Sequence, residues 1–280
     1  MSRQTSITQK SGTVLLYVVL TIVGIVILVP IIFLFVNSFK TTAAIFASPW
    51  NLPKDFRISN YSNAWIEGGI GGYFLNSIVV TAFTLAIGII LSSMAAYGIQ
   101  RMKWKLSGAV KMFLLIGLMI PVNATLIPLY IIFSKMHLSN TYVGLVAIYI
   151  AFQLPVTIII LSAFLSTIPR AMEEAAVIDG SSLFRAFAQI ILPMARPALL
   201  TVLIFNFVGT WNELLVALVF ISNQIRYTLP VGLTNFAGEY STQWGPLLAG
   251  IFLAMLPAIV IYSIFNARIV SGITAGAIKI

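Results

Sequence analysis

Charge is what this chain has least of. Asp, Glu, Lys and Arg make up 8% of its 280 residues, and 60% are hydrophobic, whereas a soluble domain carries about 25% charged residues. So little charge cannot coat a fold of this size with polar surface, which points to lipid as its solvent. Cysteine is absent, which excludes disulfides, thiol catalysis and cysteine-ligated metal. There is one histidine, His137, so no histidine-rich metal centre can form. A membrane-embedded enzyme would have to rest on that residue, which sits near an outer loop with no obvious partner for a nucleophile-base pair. Neither a catalytic residue nor a metal site is assigned. No G-x-x-x-x-G-K-[ST] segment occurs, so the chain has no phosphate cradle for ATP. No cleavable leader is expected, because the first apolar run is too long for a signal core and no small-residue cleavage site follows it. The net charge of +9 does not indicate nucleic acid, since the basic residues flank apolar runs instead of forming a basic face.

Apolar runs are what is present. A spanning helix takes about 20 apolar residues, and six stretches qualify: residues 11–38, 68–100, 112–134, 138–169, 197–221 and 240–267. Backbone groups in lipid must be paired within their own segment, so each run is read as a helix. The expected fold class is an all-α integral membrane protein with six transmembrane helices. Six spans put both termini on one side. Arg3, Lys10, Arg101, Lys103, Lys105, Lys111, Arg170, Arg185, Arg196, Arg268 and Lys279 share that side, eleven in all, against five opposite: Lys40, Lys54, Arg57, Lys135 and Arg226. Positive charge is retained inside, so the termini are expected to be cytoplasmic.

The two long outer connections are rich in aromatic residues. Residues 41–73 hold Pro49, Trp50, Pro53 and Trp65, and residues 222–245 hold Tyr227, Phe236, Tyr240 and Trp244. Such loops either dock a partner or merely connect. No internal repeat marks the chain as a fused inverted-repeat transporter.

Residues 167–197 read as a helix-turn-helix between the fourth and fifth runs. Pro169 suits a first helical position, and Glu173 and Glu174 follow where the helix dipole favours anions. Gly180 offers the left-handed residue that ends a helix, and Ser181 or Ser182 can cap the next. Leu183, Phe184, Phe187, Ile190 and Ile191 form an apolar stripe at helical spacing, which Pro193 is expected to stop before Pro197 opens the fifth span. A helix lying on lipid favours a basic polar face, but residues 171–179 carry three acids and no base. Small residues at 171, 175 and 176 allow another protein to approach closely.

Glu174-Ala175-Ala176, then Gly180, then Ile190-x-Leu192-Pro193 resembles the EAA loop of binding-protein-dependent ABC importer permeases. Asn37-Ser38-Phe39-Lys40, Pro49-Trp50, Asn76-Ser77, Trp211-Asn212-Glu213 and the tail 272–277 resemble the carbohydrate-uptake branch. Within it the chain is similar to the shorter, MalG-like subunit of the maltose type. The resemblance implies one permease domain over residues 1–280, with 167–197 as its cytoplasmic coupling loop and 222–245 as an extracytoplasmic loop. It implies that Glu174, Ala175, Ala176 and Gly180, with Asp179 and Arg185 at the rim, meet a separate ATPase. It implies these partners: a second related permease in a heterodimer, two ATP-binding subunits that hold ATP and Mg, an extracytoplasmic binding protein and a sugar. This chain would hold no cofactor. The stretch 227–244 corresponds to a loop that enters the binding protein, and the tail 271–280 to one that approaches the ATPase.

Asn76, Asn123, Gln153, Asn206, Asn212 and Glu213 interrupt the apolar runs. Polar groups in a bilayer face a partner helix or a water-filled path. Asn212 and Glu213 are therefore candidates for the solute path, with a structural hydrogen bond as the other reading of Glu213. Pro121, Pro128 and Pro155 are expected to kink their helices. The competing class is a secondary transporter driven by an ion gradient, for which Glu213 would be the coupling carboxylate.

Overall fold

The computed structural model describes residues 2–102, 104–237 and 242–277, with side chains from residue 12 to 265 within those ranges. Lys103, Tyr240 and Lys279 lie outside the described residues, as do the side chains of Arg3, Lys10 and Arg268 and of the tail 272–277. In chain order the helices are α1 (Ser2–Asn37), α2 (Thr42–Ala47), α3 (Ser59–Ser62, running on into a π-helical turn), α4 (Ile70–Gln100), α5 (Ser107–Leu118), α6 (Val122–Lys135), α7 (Tyr142–Leu165), α8 (Ala171–Ile178), α9 (Leu183–Ala186), α10 (Leu192–Met194), α11 (Arg196–Trp211), α12 (Leu215–Phe220), α13 (Leu229–Thr234) and α14 (Trp244–Ala277). Among the described residues the only β-pairing is an isolated bridge between Ala237 and Thr242. The expected all-α class holds.

Four helical stretches are long and apolar enough to cross a membrane: Gly12–Asn37, Ile70–Gln100, Tyr142–Leu165 and Trp244–Phe265. The two remaining spans are each interrupted by a bend. Helices α5 and α6 meet at a 101° bend, and the segment Leu183–Met194 meets α11 at 75°. Counting each bent pair as one span gives six. The first bend falls at Pro121, which stands in extended backbone immediately before α6. Proline has no N–H to donate and disfavours a helical residue before it. Pro128 and Pro155 lie inside α6 and α7, so of the three prolines only Pro121 coincides with a break.

The fifth run also differs from expectation. Helix α11 has 16 residues, a rise of roughly 24 Å against a hydrocarbon core of about 30 Å. The chain breaks at residues 212–214 and resumes as α12. Pro193 does not stop its helix; it lies within α10, and the turn comes at Ala195. The stretch after α9 passes through a π-helical turn, Phe187–Ile191.

The fold divides into two units. One comprises residues 1–70 and 233–253. Side chains of α1 from Gly12 to Pro30 are almost all exposed within this chain, so lipid or another chain must cover them. Its C-terminal end is packed: Asn60 Nδ2 donates to the carbonyls of Ser38 (2.8 Å) and Lys40 (2.9 Å), and Phe35 meets Phe252 at 4.9 Å. Lys40 is 3% exposed, and its ammonium donates to the carbonyls of Ser48 (3.0 Å) and Pro49 (3.1 Å). No carboxylate pairs with it among the described residues.

Burial therefore holds the Lys40 ammonium below the usual lysine range. The folded value is lower than the unfolded one. Below both values the burial cost is present in full. As pH rises from the lowered value towards 10.5, the folded chain sheds a proton that the unfolded chain keeps, so stability rises with pH. Thermal unfolding in detergent across that window should show the rise, and Lys40→Met should flatten it. A slope unchanged in that variant would assign the effect to another group.

The other unit comprises residues 71–232 and 254–280. Leu145, Ile148 and Tyr149 of α7 pack with Val80 of α4 and with Val216, Ala217 and Phe220 of α12. A second cluster joins Ala96 and Tyr97 of α4, Leu161 and Leu165 of α7, Phe187, Ile191 and Val202. Polar pairs stitch α7 to α11: Gln153 Nε2 donates to Thr210 Oγ1 at 2.6 Å, and Asn206 Nδ2 to Thr157 Oγ1 at 3.0 Å. Gln153 and Asn206 thus bond between helices. Asn123 is exposed on α6.

Candidate functional site

The helical elbow from Pro169 to Arg196 is built by ordinary end chemistry. Helix α8 begins at Ala171, so Pro169 precedes the helix and does not open it. Glu173 and Glu174 occupy the first turn, where unpaired N–H groups and the dipole favour negative charge. The C-terminus closes as a Schellman motif: Ser181 N–H donates to Ala176 O at 2.9 Å and Gly180 N–H to Val177 O at 3.0 Å. Gly180 has φ +81°, a conformation that costs glycine nothing and an L side chain about 1 kcal/mol or more. No atom stands within 4 Å of where its Cβ would lie, so conformation and not space requires the glycine. Of the two serines it is Ser182 that caps α9, accepting from Arg185 N–H at 3.3 Å.

The elbow has an inner and an outer face. Ala176, Ala186, Phe187, Ile191 and Ala195 are buried, and the Phe187 ring lies 4.9 Å from that of Tyr97 on α4. Glu174, Ala175, Asp179, Gly180 and Arg185 are exposed. Around them are exposed apolar side chains, led by Ile178 at 84% and Phe184 at 69%. Ala176 corrects the reading from sequence. At 5% exposure it packs inside this chain and offers nothing to a partner; a small side chain is needed there because α8 lies close on its own support. The other five members of the expected set are each exposed. A cleft of about 1010 Å³ borders α8, lined by Tyr97, Met102, Trp104, Arg170, Glu174 and Ile178 among others.

Sequence reasoning passed over a sixth residue. Arg101, read as a topology anchor, is 8% exposed. Its Nε donates to Glu173 Oε1 at 2.8 Å. Its Nη1 donates to the carbonyls of Ile168 (2.8 Å) and Leu165 (3.3 Å), and Nη2 lies 3.5 Å from Pro169 O. Arg101 thus reaches the last carbonyl of α7, Leu165 O, which also accepts from Ile168 N–H at 3.2 Å, and the carbonyls of Ile168 and Pro169 in the turn that leads to α8. Glu173 and Ala176 stand three residues apart on one inward face, which was the available signal. The 72-residue separation hid the pairing.

The structure shows the bonds made by the candidate path residues. Both oxygens of Glu213 are engaged by this chain: Oε1 accepts from Val216 N–H at 2.8 Å, and Oε2 from Ala217 N–H at 3.1 Å and Tyr149 OH at 2.7 Å. The carboxylate caps α12 and ties it to α7, which is the structural hydrogen-bonding role that the sequence left open for it. Asn212 is exposed and donates to Val208 O at 3.0 Å.

The stretch after the fifth span is fastened at its beginning. Asn76 Nδ2 donates to the carbonyls of Ile225 (2.8 Å) and Tyr227 (2.9 Å), and Leu229 N–H donates to Ser77 Oγ at 2.7 Å. Thr228, Leu229 and Val231 are buried, and a Cβ on Gly232 would lie 2.0 Å from the Tyr73 ring. Residues 227–232 are therefore packed and not free to enter a partner. His137 is exposed in a left-handed turn, and no cluster of His, Asp and Glu that could hold a metal occurs among the described residues.

Residues 88–274 match the family described as binding-protein-dependent transport system inner membrane component. The chain belongs to this family of membrane transport components. The match includes Arg101, the elbow and α12, and leaves out α1 to α3. Among curated relatives, the diacetylchitobiose uptake system permease protein NgcG of Streptomyces coelicolor is 34% identical over 100% of this chain and 93% of its own length. The probable ABC transporter permease protein YurM of Bacillus subtilis is 37% identical over 96% and 89%. A solved structure of a bacterial ABC transporter involved in alginate import aligns with TM-score 0.82, covering 95% of this chain and 98% of that one at 22% identity, which shows a shared fold.

Proposed function

We propose that this chain is the permease subunit of an ATP-driven importer of a carbohydrate, and that its elbow is the point at which a separate ATPase acts. The observation that carries the reading is the outer face of α8 and α9. An acid at 174, a small residue at 175 and exposed Ile178 and Phe184 form a polar-apolar surface fit for a protein. Beneath it the elbow is packed onto the ends of α4 and α7, so a displacement of α8 reaches the spans as a rigid-body movement. The excess of Lys and Arg on the side of the elbow supports a cytoplasmic position for it and for both termini. ATP and Mg would be held by two ATP-binding subunits, and this chain would make or break no bond. A second related permease and an extracytoplasmic binding protein complete the assembly. Relatives named for diacetylchitobiose and for melibiose, raffinose and stachyose support a mono- or oligosaccharide as cargo. A secondary transporter would need a free carboxylate at the midplane, and Glu213 is committed to capping α12.

The absence of native cysteine makes the test clean. In vesicles containing the assembled complex, Ala175→Cys with a short thiol-to-amine reagent should trap the ATPase subunit, and the trapped complex should lose ATP-driven sugar uptake. A working complex from which position 175 never crosslinks to an ATPase would overturn the docking role.

A further inference from the structure

We infer that Arg101 is a positioning residue for coupling: a strut that makes α8 move as one body with the ends of α4 and α7. The inference rests on the coupling role proposed for the elbow and adds the element that carries the displacement onward. Three structural elements meet at Arg101. Its own backbone N–H continues the α4 ladder, donating to Tyr97 O at 2.9 Å. Its Nη1 holds the last carbonyl of α7, at Leu165, and that of Ile168 in the turn after it, and its Nε holds Glu173 on α8. The Arg101 and Glu173 side chains are 3% and 16% exposed, so water does not screen the pair as it screens a surface ion pair.

The geometry separates two jobs within adjacent residues. Both line the cleft, but Glu174 is exposed and available to a partner, whereas Glu173 is mostly covered and held by Arg101. The planar fork of arginine suits this place because it bonds several acceptors in fixed directions, which a lysine ammonium cannot do. On the far side of α8 the connection to α11 passes through the Gly180 turn, the π-helical turn at Phe187–Ile191 and the bend at Ala195. The strut therefore directs displacement towards α4 and α7 by a route independent of the covalent path to α11.

The test is made on the complete complex in vesicles, with uptake and ATP hydrolysis measured together. Glu173→Gln, a change of nearly constant shape, should leave the ATPase bound and hydrolysis responsive to binding protein. Sugar moved per ATP should fall about fivefold or more, the range of an ordinary coupling free energy. In Arg101→Cys/Glu173→Cys the same loss should be reversed by a short bifunctional thiol reagent that bridges the two positions. A residue needed only for folding would lower uptake, hydrolysis and assembly together, and no bridge would restore the ratio. That pattern, or an unchanged ratio in Glu173→Gln, overturns the strut. If the parent complex itself holds no ATPase, the coupling role of the elbow fails first and the strut with it.

Discussion

Glu174→Lys is expected to abolish ATP-driven uptake while the helices remain inserted and folded. Glu174 is exposed, and its side chain makes no hydrogen bond or ion pair to another described residue. Reversing such a charge changes folding stability by about 0.5 kcal/mol or less. Its effect on a docked partner is far larger. A cation placed against a surface that had received an anion costs several kcal/mol, and each 1.4 kcal/mol is about tenfold in affinity. The expected result is loss of ATPase from the purified complex, or hydrolysis no longer linked to transport, with unaltered melting of the permease itself. Unimpaired uptake in Glu174→Lys would remove this residue from the docking surface.

A comparably large effect, of the opposite kind, is expected at Glu213. Glu213→Ala strips the acceptor from Val216 N–H, Ala217 N–H and Tyr149 OH at once. Val216 and Ala217 are buried, so their N–H groups gain no water in exchange. Removing acceptors from buried donors costs about 1–3 kcal/mol for each group. A loss of roughly 3 kcal/mol, seen as a marked drop in melting temperature, is the expected outcome, with Glu213→Gln milder because one oxygen remains. Sugar preference should not change in the molecules that stay folded. Unaltered melting together with altered solute selectivity would restore Glu213 to the translocation path.

Much of the architecture was legible because its causes are local. A run of apolar residues without charge can be solvated only by lipid, and a backbone in lipid pairs with itself. The Glu-Ala-Ala stretch, Gly180 and Ser182 spell a helix, a left-handed stop and a new cap. The bends were read less well. Pro121, Pro128 and Pro155 look alike in sequence, yet only Pro121 lies at a break between two helices, and the other two stand inside α6 and α7. Ala175 and Ala176 also look alike, and a rotation of about 100° between successive helical residues puts one outside and the other against α8's own support.

The sequence by itself determined the solvent, the helical class, the apolar runs and the elbow between the fourth and fifth. Each of these follows from composition or from neighbours a few residues apart. Tertiary structure alone decided what the charged groups do. Arg101 meets Glu173 across 72 positions, and Glu213 meets Tyr149 across 64. A buried charge takes its role from whichever partner replaces its lost water, and that partner is chosen by how the helices pack.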